Sequence, residues 1–151
     1  MDLTEGRSEL QEVLPRVFIT NFFGTKKAAL LAQTGITHVL NVTWDLPFPG
    51  LPRDLVCTRV AFADNTHVRL PLNECLGWIE AALAAKPEAK VLVHCAAGSS
   101  RSGAIVVAWV MKQQRIRFVE ALAFVQRIRS IVLPNPGFAE QLQEFEKQLA
   151  L

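Results

Sequence analysis

Short apolar runs alternate with amphipathic segments along most of the chain. The apolar runs are rich in β-branched residues, which fit a pleated sheet, and they predict strands. They lie at Val13–Thr20 (a strand or a short hairpin), Thr37–Thr43, Leu55–Ala61 and Lys90–His94. Helical spacing of apolar residues predicts helices at Thr25–Gln33, Pro71–Ala85, Arg101–Gln114, Phe118–Arg129 and Phe138–Leu149. Alternating strands and helices indicate an α/β domain with a central sheet covered by helices.

Local signals place the boundaries of these elements. Thr25 is predicted to cap the first helix, and Gly35 is predicted to end it. The segment Pro134-Asn-Pro-Gly137 is predicted to form a turn before the last helix. We predict that residues 1–12 form a polar N-terminal tail and that residues 13–151 form a single domain.

Composition excludes several classes of protein. Half of the 151 residues are hydrophobic and 20% are charged, which is typical of a soluble globular domain. The net charge of +2 does not call for a nucleic-acid partner. We interpret the basic side chains of the second half as a solvated helix face: Lys112, Arg115, Arg117, Arg127 and Arg129.

Membrane and metal signals are absent from the sequence. No apolar run reaches the roughly 18 residues that a membrane span needs, and the N-terminus lacks a secretory pattern. We expect free thiols in a reducing compartment: the cytoplasm, with the nucleus as an alternative. Neither a Cys-x-x-Cys motif nor paired histidines occur, so we expect no metal and no other cofactor.

The segment from Val91 to Gly103 carries the clearest chemistry. A predicted strand runs into Cys95, and an arginine, Arg101, opens the next predicted helix. A turn from a strand into a helix aims backbone N–H groups at one point beside the positive end of the helix dipole, which makes an anion site. The residues between are small enough for the backbone to wrap closely around a ligand: Ala96, Ala97, Gly98, Ser99 and Ser100.

Cys95 and Arg101 add reactivity to this anion site. A guanidinium presents a planar fork that matches two phosphate oxygens. A helix N-terminus and a nearby cation both favour the thiolate form of a cysteine. We therefore expect Cys95 to be a nucleophile placed for in-line attack on the phosphorus of a bound phosphomonoester.

The sequence His94-Cys95-Ala-Ala-Gly-Ser-Ser-Arg101-Ser102 resembles the signature of the protein tyrosine phosphatase superfamily. Three other stretches are similar to the small, atypical dual-specificity phosphatases: Leu14–Ile19, Gly35–Thr43 and the region from Arg129 to Glu146 with its Pro-Asn-x-Gly-Phe motif. The resemblance covers roughly residues 13–150. It implies a mixed, mostly parallel sheet of about five strands with helices on both faces.

The rest of the catalytic set is assigned from chemistry and from this resemblance. The leaving oxygen needs a proton, and a loop carboxylic acid can supply it. Asp64 is the best candidate, with Asp45 and Asp54 as weaker alternatives. The resemblance implies that Ser102 assists breakdown of the phosphocysteine.

Two further residues are assigned supporting roles. His94 is expected to organise the loop through hydrogen bonds, although a proton-shuttling role stays open. Asn135 either supports the phosphate loop or simply forms the Pro-Asn turn.

The sequence says less about the substrate and about the oligomeric state. Members of the resembled family that act on multiply charged inositol phosphates often carry basic residues in the phosphate loop. Residues 96–100 include no Lys or Arg, so the resemblance favours a phosphoprotein substrate carrying phosphotyrosine, phosphoserine or phosphothreonine. A lipid, glycan or RNA 5′-phosphate is the alternative substrate, and a phosphate-binding pseudophosphatase is a further alternative. We expect no nucleic-acid or membrane partner, and a weak homo-oligomer is allowed.

Overall fold

The computed structural model describes residues 8–48 and 54–151, and in these residues it has five strands and five α-helices. The strands are β1 (Gln11–Leu14), β2 (Val17–Thr20), β3 (His38–Asn41), β4 (Val56–Arg59) and β5 (Val91–His94). The helices are α1 (Ala28–Thr34), α2 (Leu72–Ala85), α3 (Arg101–Gln114), α4 (Phe118–Ile128) and α5 (Pro136–Gln148). A short 3-10 helix, Gly24–Lys26, precedes α1.

The strands form one mixed sheet in the order β1-β2-β5-β3-β4. β1 is antiparallel to β2, and all the other neighbouring pairs are parallel. Thr20, His94 and Asn41 lie side by side at the carboxyl edge of the sheet. The loops that follow β2, β5, β3 and β4 therefore meet at this one edge, with the loop after the central strand β5 in the middle.

The two faces of the sheet are covered unequally. One face packs Phe18, Val39 and Leu92 against Leu31 of α1. The other face packs against α2, α3, α4 and α5, which together build the larger core. Every residue of α3 from Ser102 to Met111 is buried, because this helix is surrounded by the sheet and its neighbouring helices. The α/β fold with helices on both faces is confirmed.

The start of α1 differs from the prediction. Thr25 lies in the 3-10 helix rather than at the cap of α1, and its hydroxyl donates to Phe22 O at 2.6 Å. Lys27 precedes α1 and makes no side-chain cap. The predicted stop at Gly35 is confirmed, since this residue adopts a left-handed φ of 84° and its N–H donates to the carbonyls of the last turn.

Two other boundaries also shift. α5 begins at Pro136 instead of Phe138, because Asn135 is a true N-cap whose Oδ1 accepts from the Phe138 N–H at 2.9 Å. β1 begins at Gln11, two positions before the predicted strand at Val13, so the last residues of the predicted tail pair with β2. Residues 1–7 of that tail, and residues 49–53 of the loop before β4, lie outside the described residues.

Candidate active site

The loop from Cys95 to Ser100 connects β5 to α3 and closes tightly on its neighbours. Gly98 adopts a left-handed φ of 68°, which favours glycine. A Cβ atom at this position would lie 2.7 Å from Arg129 Nη2 and 2.8 Å from Thr20 O. Both the backbone conformation and the available space therefore require glycine here, as the sequence indicated.

Every carbonyl of this loop has a hydrogen-bond partner in the surrounding protein. The partners of residues 95–100, in chain order, are His94 Nδ1 (3.4 Å), Phe22 N (2.9 Å), Arg129 Nη2 (3.2 Å), Arg129 Nε (2.9 Å), Leu133 N (3.2 Å) and Ala104 N (2.8 Å). In a trans peptide the C=O and the following N–H point in opposite directions. Carbonyls that face the protein therefore turn the N–H groups of residues 96–101 toward the centre of the loop, where they can bind an anion.

The centre of the loop is close to the N-terminus of α3. This helix begins at Arg101 directly after the loop, and its 14 residues align their peptide dipoles with the positive end at the loop. The loop amides and the helix dipole thus act on the same ligand position.

Cys95 lies at the base of this cradle. Its side chain is 3% exposed, and its Sγ is 3.0 Å from the Oγ of the fully buried Ser102. Against a thiolate only the serine hydroxyl can donate, so Ser102 is placed to stabilise the negative sulfur.

Arg101 is half-buried and holds only a long contact, 3.5 Å, from its Nη1 to Phe62 O. A hydrogen bond of this length is weak. No carboxylate among the described residues forms a salt bridge with it. Its guanidinium therefore has donors to offer an anion in the loop.

Asp64, the candidate acid, is hydrogen-bonded to the loop. Its Oδ1 accepts from Ser100 Oγ at 2.7 Å and from Asn135 Nδ2 at 2.9 Å. Asn135 also donates its backbone N–H to Ser100 Oγ at 3.0 Å. Asn135 therefore joins the candidate acid, the phosphate loop and the start of α5, which goes well beyond a turn-forming role.

The two weaker candidates for the acid lie elsewhere. Asp54 precedes β4, at the amino end of a parallel strand and thus at the opposite edge of the sheet from the loop. Asp45 follows β3 at the correct edge but is exposed. Of the three carboxylates, Asp64 is the one for which the structure gives a contact with the loop.

The segment that carries Asp64 is held against α5. A Cβ atom on Gly137 would overlap the backbone of Thr66, so α5 approaches this segment as closely as a glycine permits. Gln141 accepts from Leu70 N at 2.7 Å and donates to Val68 O at 2.8 Å. These contacts position the candidate acid, and sequence reasoning did not assign this role to either Gly137 or Gln141.

His94 is fully buried beside the loop. Burial, with smaller contributions from the positive charges of Arg59 and Arg101, lowers its pKa to about 4 against the opposing effect of the Cys95 carbonyl. The neutral ring donates from Nδ1 to that carbonyl, while Nε2 has no hydrogen-bond partner among the described residues. A buried histidine that stays neutral fits the expected organising role and does not fit a proton shuttle.

The position of Arg129 shows that one prediction, its place on a solvated helix face, is wrong. Arg129 is 2% exposed and binds the loop carbonyls of Ala97 and Gly98, so it does not belong to a solvated helix face. The pattern of basic residues could not reveal this, because the partners lie about 30 positions away along the chain.

The other thiols lie outside the loop. Burial raises the pKa of Cys75 to about 12, with a smaller contribution from Glu74. Cys57 lies exposed on β4, and partial burial raises its pKa as well. Both thiols therefore stay protonated at neutral pH, whereas Cys95 faces the anion cradle.

Neither a metal-binding cluster nor a membrane-spanning helix is present in residues 8–48 and 54–151. No group of three or more His, Cys, Asp or Glu side chains is arranged there to hold a metal ion. None of the described helices has the length and apolar character that a membrane crossing demands.

A family model described as "Dual specificity phosphatase, catalytic domain" matches residues 17–148. The chain belongs to the dual specificity phosphatase family. This confirms the resemblance drawn from the loop and its flanking motifs. Dual specificity protein phosphatase 1B from Arabidopsis thaliana is 37% identical over 149 residues, which cover 97% of this chain and 87% of that protein.

Two human proteins are also similar to this chain, and one of them is much longer. Human dual specificity protein phosphatase 4 is 35% identical over 91% of this chain, which spans only 35% of that protein. The structure of human DUSP28 has a TM-score of 0.86 and 30% identity, covering 94% of this chain and 95% of that one.

A human tyrosine phosphatase-like serine/threonine/tyrosine-interacting protein also has a TM-score of 0.86, with 31% identity over 96% of this chain and 100% of that one. The fold is therefore shared between members named as phosphatases and one named as phosphatase-like. The side chains at the loop, rather than the fold, must distinguish catalysis from binding.

The lowered pKa of His94 predicts a loss of stability in acid. The unfolded chain protonates this histidine near its ordinary pKa of 6.5, whereas the folded protein does so only near 4. Between these values the unfolded state binds one proton more, so the free energy of unfolding should fall by about 1.4 kcal/mol per pH unit as the pH decreases.

Urea unfolding of wild type and His94→Gln across this pH range measures the effect. The titration of the carboxylates contributes equally to the free energy of unfolding of both proteins. This free energy should therefore depend less steeply on pH in the variant. Equal slopes in the two proteins would mean that His94 does not titrate in this way.

Proposed function

We propose that this protein hydrolyses phosphotyrosine and phosphoserine or phosphothreonine in proteins through a phosphocysteine intermediate on Cys95. The observation that carries the proposal is that three groups with suitable chemistry lie at the same loop. The Cys95 sulfur lies at the base of the amide cradle, Ser102 Oγ is 3.0 Å from it, and Asp64 is docked on the rim through Ser100. A protein that only binds phosphate has no use for the sulfur or for the acid.

In the first step the Cys95 thiolate attacks phosphorus in line with the ester oxygen. The P–S bond forms as the P–O bond breaks, and Asp64 donates its proton to the leaving oxygen. The loop amides and the Arg101 guanidinium bind the non-bridging oxygens, whose charge must be stabilised in the transition state.

In the second step a water molecule attacks the phosphocysteine. Asp64, now ionised, takes a proton from this water, the P–S bond breaks and inorganic phosphate is released. Ser102 donates a hydrogen bond to the sulfur that leaves as a thiolate, which lowers the barrier to this departure.

Two observations support a protein as the substrate. The relatives with whole-domain similarity are named as protein phosphatases. The surface beside the loop exposes apolar side chains together with one lysine: Leu133 is 62% exposed, Phe23 is 37% exposed, and Lys26 Nζ lies 5.4 Å from the centre of the Phe23 ring. Backbone hydrogen bonds of Leu133 and Phe22 fix this surface against the loop. An apolar rim suits flanking peptide side chains better than it suits a multiply charged inositol phosphate.

We propose action on both kinds of phosphoresidue because we expect the site to be shallow. The chain contains no tyrosine, so no phenol ring can deepen the pocket in the way that would select phosphotyrosine. Asp64 is exposed at the rim and contacts Ser100 of the loop directly. A shallow site of this kind can be reached by the short phosphothreonine side chain as well as by phosphotyrosine.

The proposal predicts that Cys95 is indispensable for turnover. Wild type should release phosphate from phosphopeptides, whereas Cys95→Ser should release none above background and should still bind inorganic phosphate through the intact loop amides. Phosphate release and calorimetric phosphate binding are the measurements, with Cys57→Ser as the matched control because that thiol is exposed on β4.

Three outcomes would contradict the proposed function. Turnover by Cys95→Ser would exclude the phosphocysteine. Wild type that binds phosphate without turnover would identify a pseudophosphatase. A much higher kcat/KM for a lipid, glycan or RNA 5′-phosphate than for phosphopeptides would identify a non-protein substrate.

The shallow site predicts dual specificity. Under matched conditions the enzyme should hydrolyse phosphotyrosine and phosphothreonine versions of the same peptide with kcat/KM values within about 100-fold, a gap of less than about 3 kcal/mol in transition-state binding. Unchanged phosphothreonine peptide beside complete hydrolysis of the phosphotyrosine peptide would show that the site selects tyrosine.

The role of Asp64 is tested by the leaving group. Asp64→Asn keeps an Oδ1 that can accept from Ser100 and Asn135, so it removes the proton while preserving the contacts. Hydrolysis of phenyl phosphate should slow by about 10²- to 10⁴-fold, and hydrolysis of p-nitrophenyl phosphate should slow far less because nitrophenolate leaves without a proton. Asp45→Asn is the matched control; equal losses on both esters in Asp64→Asn would place the acid elsewhere.

A further inference from the structure

We infer that Arg129 is a positioning residue that sets the anion affinity of the phosphate loop, and that the β1–β2 hairpin holds it in place through Gln11. The inference rests on the proposed function, because it assigns the group that orients the amides of that same site. Arg129 itself faces the outer side of the loop, so it acts on phosphate only through the backbone.

The contacts of Arg129 fall on two consecutive loop carbonyls. Its Nε donates to Gly98 O at 2.9 Å and its Nη2 donates to Ala97 O at 3.2 Å. These two donors project from the same edge of the planar guanidinium, so the fork fixes both peptide planes at once. A lysine has the charge but lacks this fixed pair of donors.

The other edge of the guanidinium is tied to the hairpin. Arg129 Nη1 donates to Gln11 Oε1 at 2.7 Å, and Gln11 Nε2 donates to Ile128 O at 2.7 Å. Gln11 therefore binds both the side chain of Arg129 and the backbone carbonyl of the preceding residue, Ile128. Because Gln11 lies on β1, the hairpin orients the guanidinium.

The hairpin also supports the loop directly. The carbonyl oxygen of Thr20, at the end of β2, would be only 2.8 Å from a Cβ atom on Gly98, so the end of β2 lies against the loop. The Thr20 hydroxyl donates in turn to the carbonyls of Ser8 and Glu9. The end of β2 and the Arg129 guanidinium thus both lie against Gly98 of the loop, and Gln11 of β1 binds the guanidinium.

The consequence for phosphate follows from the peptide geometry. The carbonyls of Ala97 and Gly98 belong to the same peptide units as the N–H groups of Gly98 and Ser99. If Arg129 is removed, these carbonyls lose buried charged donors, and the peptide planes can rotate toward other partners. Rotation would turn two N–H groups away from the anion and would also remove a positive charge from behind the site.

The test compares Arg129→Met, Arg129→Lys and Gln11→Ala with the control Arg127→Met. Arg127 lies in the last turn of α4, two residues before Arg129, but it is exposed and stacks on Phe124. Each protein is checked for folding by circular dichroism and thermal unfolding. Inorganic phosphate binding is then measured by calorimetry, and kcat and KM are measured with p-nitrophenyl phosphate.

We expect Arg129→Met to bind inorganic phosphate about 10- to 100-fold more weakly and to lose kcat/KM by a similar factor, since small misplacements in a preorganised site cost this much. Arg129→Lys should recover only a small part of the affinity, and Gln11→Ala should show a smaller loss in the same direction. Guanidinium ion at sub-denaturing concentration should partly restore phosphate binding to Arg129→Met, whereas ammonium should not. The control should match wild type.

Wild-type phosphate affinity in a folded Arg129→Met protein would overturn the inference. If that variant does not fold, wild-type affinity in both Arg129→Lys and Gln11→Ala would overturn it equally. The phosphate-binding measurement does not depend on turnover. A wild-type protein that binds phosphate but hydrolyses nothing would therefore refute the proposed function, while the effect of Arg129 on phosphate binding would still be decided.

Discussion

The site depends on one constraint: the carbonyls of the phosphate loop must be held outward so that its amides can face inward. A short loop cannot meet this requirement alone, because each outward carbonyl needs a donor from another part of the chain. The donors come from the segment after β2, from His94 of β5, from the segment after α4, from α3 and from Arg129. The anion site is thus a property of the whole sheet edge, and the sequence between Cys95 and Arg101 supplies only the inner surface.

This arrangement also explains why the charged and polar groups at the site do not interfere with one another. His94 stays neutral because it is buried, so it adds no second cation beside Arg101. Ser102 supplies a hydroxyl, which stabilises a thiolate without neutralising it. Cys75 and Cys57 keep their protons. In the proposed mechanism the reactive thiol is therefore Cys95, because the surroundings of Cys75 and Cys57 raise the pKa of these other thiols.

Local features were predictable from the sequence, and long-range ones were not. The loop, Cys95 and Arg101 are adjacent in the chain, and the need for glycine at position 98 follows from the loop itself. Arg129 was misread as a surface residue because its exposure depends on the hairpin and on the loop, which lie far from it in sequence. Thr25 was misplaced because a 3-10 turn and an N-cap favour the same kind of residue. Asn135 was underestimated because its contact with Asp64 spans much of the chain.

The close contact between Gly137 and Thr66 has a kinetic consequence. In many enzymes an acid arrives on a lid that must close over the substrate, and closing or reopening on the microsecond-to-millisecond timescale limits the rate. Here the backbone of α5 lies against the segment that bears Asp64, and the Gln141 side-chain amide forms a hydrogen bond with the same segment. In the proposed mechanism the carboxyl group of Asp64 is thus in place before a substrate arrives and needs no loop closure, so the rate of turnover should not respond to solvent viscosity through such a closure.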